Sequence, residues 1–368
     1  MPRHGRHYPT MRSAEIVRHR MHSQRLWGHP LDSPEKVVRW LGALQAQEYA
    51  YALWSVAQRA AGVDEAAMNQ ALATGTILRT HLLRPTWHFV LPEDIRWILK
   101  ISAPRVNAFN AYYYRKHGLD DELFATSNAS LANALEQGGH LTRKELANVL
   151  ETAGILANGP RLGMIMMRAE LDAVICSGAP RGKQQTYALV DERAPAATTM
   201  DTDEALAELT RRYFTARGPA TLKDYLRWSS LTAAEGKRGL GAIDSELERE
   251  VIDGRTYWFA TPSLNANKVT KVVDLVQGYD ECIMSYSESR DVLLASVTEL
   301  ADTPNVQPFL HAILLDGRLI GHWRRVLERG SVAIETSFYR SLGRDEMSAF
   351  DTAAEDYGRF VATPVKRL

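Results

Sequence analysis

Three times along this chain, short capped helical stretches give way to two strand-like runs around a tight turn. Residues 13–120 show the first instance. Ser13 opens a stretch with Ile16, Val17 and Met21 at helical spacing, and Ser33-Pro34-Glu35 is a serine cap with proline at the first helical position. Val37, Val38, Leu41 and Leu44 then line one face. Further helices are expected over 51–61 and 64–73. Ile77–Leu83 and Thr86–Leu91 follow as a hairpin around Arg84-Pro85. Helices followed by a two-stranded hairpin are the winged variant of a helix-turn-helix.

The pattern returns over 121–195. A helix over 129–137 ends at Gly138-Gly139. Thr142 and Glu145 form a capping box, Gly159-Pro160-Arg161 opens a helix running through 175, and Arg181-Gly182-Lys183 tips a second hairpin. Over 200–265 it recurs less clearly. Helices at 203–216, 221–228 and 232–240 precede strands flanking Asp253-Gly254, a dipeptide typical of a tight hairpin turn. From about 270 to 368 the character changes. Phe309–Leu315, the turn Asp316-Gly317, Arg318–Arg324 and Ser331–Thr336 read as a small β-barrel-like region, closed by a helix over 345–361. The expected fold class is α+β, mainly helical: three tandem winged-helix units and this C-terminal region.

The formal net charge is zero, yet the charges are unevenly placed. Residues 1–120 hold 16 Lys+Arg against 9 Asp+Glu, and the remaining 28 basic residues face 35 acidic ones. A local excess, not a basic average, is what phosphate neutralisation requires, so the first part is expected to face a polyanion. The competing reading is that the acidic part packs against the basic part. No apolar run spans a bilayer. The segment MPRHGRHYPTMRS is polar and basic, without the apolar stretch of a secretory signal, and is expected to be a frayed tail, with Met11 a candidate start. The expected location is cytoplasmic and nucleoid-associated. Cys176 and Cys282 form no metal-ligand spacing and read as core residues.

The usual catalytic signatures are missing: no nucleophile elbow, no phosphate-binding glycine loop, no zinc-spaced cysteines or histidines. Gly239-Leu240-Gly241 reads as a turn. What remains is Gln45-Ala46-Gln47, a polar pair interrupting the core-like runs Leu41–Leu44 and Tyr51–Trp54 inside the most basic region. In an extended segment, two residues one position apart project to the same side. Taken alone, such a tripeptide is usually an ordinary helix end.

Leu41-Gly-Ala-Leu-Gln-Ala-Gln, then Arg79-Thr80, then Arg84-Pro-Thr-Trp-His-Phe-Val-Leu-Pro-Glu-Asp, resembles the winged-helix family of bacterial DNA glycosylases typified by AlkZ. The resemblance extends to Gly278-Tyr-Asp-Glu281 and to Asp316-Gly-Arg318. Pro85 stands where the family pattern has glycine. The resemblance implies three winged helices plus a small β-barrel and a Gln-aliphatic-Gln catalytic signature, here Gln45 and Gln47. It also implies removal of N-alkylated purines from double-stranded DNA, bulky adducts and interstrand crosslinks included. The chemistry is consistent. An N7- or N3-alkylated purine is already cationic and leaves without strong acid help, so the protein must stabilise an oxocarbenium-like sugar and place a water. Glutamine amides donate and accept, so two can orient one water. No lysine neighbours the pair, which predicts a monofunctional enzyme. Neither cofactor, metal nor obligate protein partner is called for. On the strand after the turn, Thr86 and His88 share one face and are expected to support the glutamines, while Trp87, Phe89 and Leu91 form a core face. Arg79, Arg84, Arg181 and Lys183 lie on or near the wings and are expected to contact phosphates. Two other classes fit a winged-helix chain: a non-catalytic transcription regulator, and a protein that sequesters drug-modified DNA.

Overall fold

A computed structural model describes residues 13–136, 138–195, 198–260, 271–294 and 311–367. The expected tail over 1–12, the helix end at Gln137 and the strand start at Phe309 lie outside them. No described helix is long and apolar enough to cross a membrane. Local signals act as the sequence suggests. Ser33 accepts from the Lys36 backbone N–H with Pro34 opening the helix Pro34–Leu41. Thr142, Thr221 and Thr232 form capping boxes with Glu145, Asp224 and Glu235. Each box pairs backbone donors that a helix start leaves orphaned. A helix not foreseen in the sequence, Ile95–Lys116, leads from the first hairpin to the second unit.

The first sheet holds β1 (Leu44–Gln45), β2 (Leu78–Leu82) and β3 (Arg84–Val90) in the order β1-β3-β2. Its hairpin turns at Leu83, φ 60°, and not at Arg84-Pro85, which lie in β3. The second sheet, β4 (Leu141–Thr142), β5 (Ile175–Ser177) and β6 (Thr186–Leu189), has the order β4-β6-β5. Strands β7 (Glu248–Ile252) and β8 (Arg255–Phe259) pair around Asp253-Gly254 at φ 50° and 75°. Two successive positive φ values are what a twisted two-residue hairpin turn needs.

The C-terminal region departs from the expected barrel. Strands β9 (Val273–Val276), β10 (Ala312–Leu315), β11 (Arg318–Glu328), β12 (Ser331–Phe338) and β13 (Val365–Arg367) form one sheet, ordered β13-β12-β11-β10-β9. Among the described residues it is open, with β9 and β13 at its edges. Both faces are already covered. Leu275, Ile313 and Ile334 pack with Phe350, Tyr357 and Phe360 of the helix Arg344–Phe360 and with Trp54. Val276, Leu314 and Leu319 pack with Ile16, Val17 and Met21 of the helix Ser13–Ser23. Burial on helices removes the apolar drive to close. Gly239 is also not in a turn. It lies in the helix Ala233–Ala242, where a Cβ would come within 2.3 Å of Thr210 Oγ1 and 2.8 Å of the Leu206 carbonyl oxygen.

Two fully buried ion pairs hold the segment after β9, one to the first unit and the other to the end of the helix Thr202–Arg217. Arg59 donates to both oxygens of Asp280, at 3.0 and 2.7 Å. Arg217 binds Glu281 Oε2 through Nε and Nη2, at 3.0 and 2.9 Å, and donates to the carbonyls of Leu41 and Ala43. Removing one member of such a pair leaves a buried charge uncompensated, typically about 3–5 kcal/mol. Arg217→Met is therefore expected to lower unfolding free energy by about that amount in urea titration. A loss under about 1 kcal/mol would show that the pair does not hold these segments together.

Candidate active site

Gln45 on β1 lies opposite His88 on β3, and His88 lies opposite Thr80 on β2. Directly paired residues of neighbouring strands share a face, so Gln45, His88 and Thr80 stand together, and a register shift past Trp87 sets Arg84 opposite Leu82, two residues beyond Thr80 on that face. Arg84 joins the group. Its Nη2 is 2.8 Å from Gln45 Oε1 and 3.1 Å from His88 Nε2, and its Nη1 donates to the Trp228 carbonyl. A guanidinium only donates, so His88 Nε2 must accept. The ring hydrogen then sits on Nδ1, which donates to the Thr86 carbonyl at 2.9 Å. Burial, reinforced by Arg84, holds His88 well below its ordinary value, so the ring is neutral at physiological pH.

Below this layer, Glu281 fixes the backbone. Its Oε1 accepts the Gln45 N–H at 2.9 Å, and its Oε2 accepts from Trp228 Nε1 at 2.9 Å and Ser285 Oγ at 2.7 Å as well as from Arg217. Burial pushes this carboxyl up, but Arg217 and Arg84 outweigh it and bring it down to about 2. Its folded value thus lies below the ordinary 4.5, so its stabilising contribution is present above that pH and is lost as pH falls towards about 2. Gln277 Nε2 donates to the Gln45 carbonyl at 3.3 Å. Further along, the Ala46 N–H donates to the Trp87 carbonyl at 2.7 Å, and the Trp87 N–H reaches Gln47 Oε1 at 3.3 Å.

The tripeptide is thus held through the backbone of Gln45 and Ala46 and through both amide oxygens. Gln45 is only 1% exposed, whereas Gln47 is half-buried. Both amide oxygens carry a protein donor, and each retains a second lone pair. Neither amide nitrogen has a protein acceptor among the described residues. Water-orienting capacity therefore remains on both side chains. Glu281 is a poor base here, because it is fully buried and Arg217 and Arg84 hold its carboxyl down to about 2.

The other residues singled out in the sequence fall in different places. Thr86 Oγ1 is buried and unpartnered among the described residues. Phe89 and Leu91 are core, but Trp87 is only half-buried. Arg79 stacks over the Trp87 ring at 4.4 Å, His81 lies against it at 4.4 Å, and the indole N–H reaches Glu170 at 3.3 Å. Arg79 and Arg84 are turned inward: Arg79 Nε donates to the Ala46 carbonyl at 3.0 Å, and Arg84 binds Gln45. Arg84 stands with the glutamines, whereas Arg79 lies on the opposite face of the sheet, against the Ala46 carbonyl and the Trp87 ring; neither points out from an open wing. Arg181 and Lys183 are exposed at the second hairpin, around Gly182 at φ 59°, with Arg181 paired to Glu145. Part of the basic excess of the first 120 residues is met internally, by Asp280 on Arg59 and Asp191 on Arg96. Among the described residues no cluster of His, Cys, Asp or Glu could hold a metal. Arg217, Trp228 and Gln277 carry no sequence signal of their own. Glu281 does, since Gly278-Tyr-Asp-Glu281 is one of the stretches that carry the family resemblance.

The chain has clear likenesses among known proteins. The family described as DNA glycosylase AlkZ-like matches residues 38–360, from the helix before the tripeptide to the last helix. An interstrand DNA cross-link repair glycosylase of Streptomyces sahachiroi is 25% identical over 325 residues, 85% of this chain and 87% of that protein. The solved structure of Streptomyces sahachiroi DNA glycosylase AlkZ superposes with a TM-score of 0.80 at 22% identity, covering 98% of this chain and all of that one, a likeness of fold. The chain belongs to the AlkZ-like DNA glycosylase family.

Proposed function

We propose that this protein is a monofunctional DNA glycosylase acting on cationic N-alkylated purines in double-stranded DNA, bulky adducts and interstrand crosslinks included, with Gln45 and Gln47 holding the water. Family membership supports glycosylase chemistry over the regulator and sequestration readings. The observation that carries the residue assignment is the built support of the pair: a buried glutamine held by Arg84 and by the Glu281 carboxylate, beside a second whose carbonyl is fixed by Trp87. In the reaction, the alkylated base leaves as a neutral molecule with the electron pair of the glycosidic bond. The water oxygen bonds to C1′, and its proton passes to solvent. The glutamine oxygens face the developing positive charge on the sugar as preorganised dipoles. The Arg84 charge would oppose that cation, and the neighbouring Glu281 carboxylate offsets it. His88, neutral, supports Arg84 and the tripeptide and transfers no proton.

In this reading the units 13–120, 121–195 and 200–265 are three winged helices, each presenting its hairpin, and 270–368 is the C-terminal sheet region. The exposed Arg181 and Lys183 on the second hairpin would contact phosphates.

Gln45→Ala and Gln47→Ala are each expected to slow release of N7-methylguanine from duplex DNA by about 10²–10³-fold, roughly 3–4 kcal/mol by analogy with the removal of an oxyanion donor. Duplex affinity should be nearly unchanged. His88→Ala should slow release less than either. Wild-type rates in a Gln45→Ala/Gln47→Ala double variant, scored as abasic sites, would remove the assignment. A second measurement tests the wing: neutralising Arg181 and Lys183 together should flatten the salt dependence of binding by roughly one log–log unit for each phosphate left without its cation. An unchanged slope would assign both to solvated loop charge.

A further inference from the structure

Glu48 directly follows the catalytic tripeptide and precedes the helix Tyr49–Ala57, yet its side chain does not cap that helix. Its carboxylate instead lies 3.3 Å from His311 Nε2. The other ring nitrogen of His311 accepts the Gly278 N–H at 3.1 Å. That bond places the ring hydrogen on Nε2, so a neutral imidazole donates to Glu48. Glu48 has a hydrogen-bond partner but no counter-charge from this ring.

Around these two residues is a cavity of about 370 Å³. Its walls include the rings of His311, His322 and Trp323, together with Glu48, Arg324 and Glu335. Arg324 and Glu335 pair with each other across β11 and β12, which cancels their charges. Among the described residues, Glu48 is then the uncancelled charge of the lining side chains. The rings are held in place. His311 stacks on Tyr51 with centroids 3.6 Å apart, and Trp323 donates its indole N–H to the Val276 carbonyl at 3.1 Å. The volume is at the small end of the roughly 300–1,000 Å³ of small-molecule sites, which suits one ring system with a substituent. The cavity also adjoins the site. Gln277, which binds the Gln45 carbonyl, is next to Gly278, which binds His311, and Glu48 is next to Gln47.

We propose that this cavity receives the damaged base as a planar, positively charged heteroaromatic ring, and that Glu48 selects its charge. Ring walls accept a flat cation through its π-face, and a lone carboxylate in a partly desolvated cavity favours a cation over a neutral ring of the same shape. This deepens the glycosylase reading by naming where the base is recognised. It gives a source of discrimination other than the intrinsic lability of the cationic lesion.

The test uses the full-length protein and two probes. In the first, 7-methylguanosine at about pH 6, where its ring is cationic, is titrated against guanosine by tryptophan fluorescence. About tenfold or greater preference for the methylated nucleoside is expected in the wild type. Glu48→Gln should abolish it and Glu48→Asp, which keeps the charge, should retain it. In the second, release of N7-methylguanine from duplex DNA should show a KM raised about tenfold by Glu48→Gln. If wild type and Glu48→Gln bind both nucleosides alike and share one KM, the cavity is not the base receptor. If the wild type prefers the cationic nucleoside but releases no base, the receptor stands and the glycosylase reading falls.

Discussion

The contact on which the rest depends is the buried pair of Arg217 and Glu281. Arg217 comes from the end of the helix Thr202–Arg217 and binds the carbonyls of Leu41 and Ala43 as well as Glu281. Glu281 comes from the segment after β9 and binds the Gln45 N–H. Three distant stretches thus converge on the backbone entering the tripeptide. Two bare charges would not survive this burial. They persist because every oxygen of Glu281 and most donors of Arg217 are engaged, which offsets the desolvation of both ions. A packed apolar cluster could hold the same segments, but it would not fix the direction of one N–H.

That anchoring shapes what the site can do. A site built to stabilise a sugar cation benefits from fixed dipoles, because fixed dipoles need not reorganise as charge develops. Gln45 is fixed through its amide oxygen by Arg84 and through its backbone by Glu281 and Gln277. In the proposed reaction the positive charge of Arg84 is offset by the Glu281 carboxylate underneath. Burial brings the Arg84 guanidinium down to about 10, still protonated at physiological pH. The polar layer therefore keeps one charge state across the physiological range, with His88 neutral and Glu281 ionised.

Much of the scaffold was legible in the chain. The caps at Ser33, Thr142 and Thr221 and the turns at Asp253-Gly254 and Asp316-Gly317 are local devices, and they act where the residue types allow. The long helix Ile95–Lys116 was not foreseen, because polar positions and Pro104 interrupt its apolar pattern. The turn at Leu83 was displaced because a bulky residue is seldom expected at φ 60°. The barrel expectation had a different origin: the apolar runs and turns of β10–β12 mark successive strands, but not whether the sheet edges meet. Helices on both faces left it open.

By itself, then, the sequence determined most of the helices and hairpins and marked Gln45 and Gln47 as a polar interruption in an apolar run, because those signals act over a few residues. The tertiary structure decided the company they keep. Arg84 and Arg79 look like wing residues in the chain and turn inward, Arg84 to Gln45 and Arg79 to the Ala46 carbonyl, since their direction depends on carbonyls and side chains supplied from elsewhere. The partner of Glu281 lies 64 positions away, and any of many arginines could have filled that place. Charge pairing in a desolvated interior is settled by which groups reach one another once the chain has packed, and no local pattern encodes that.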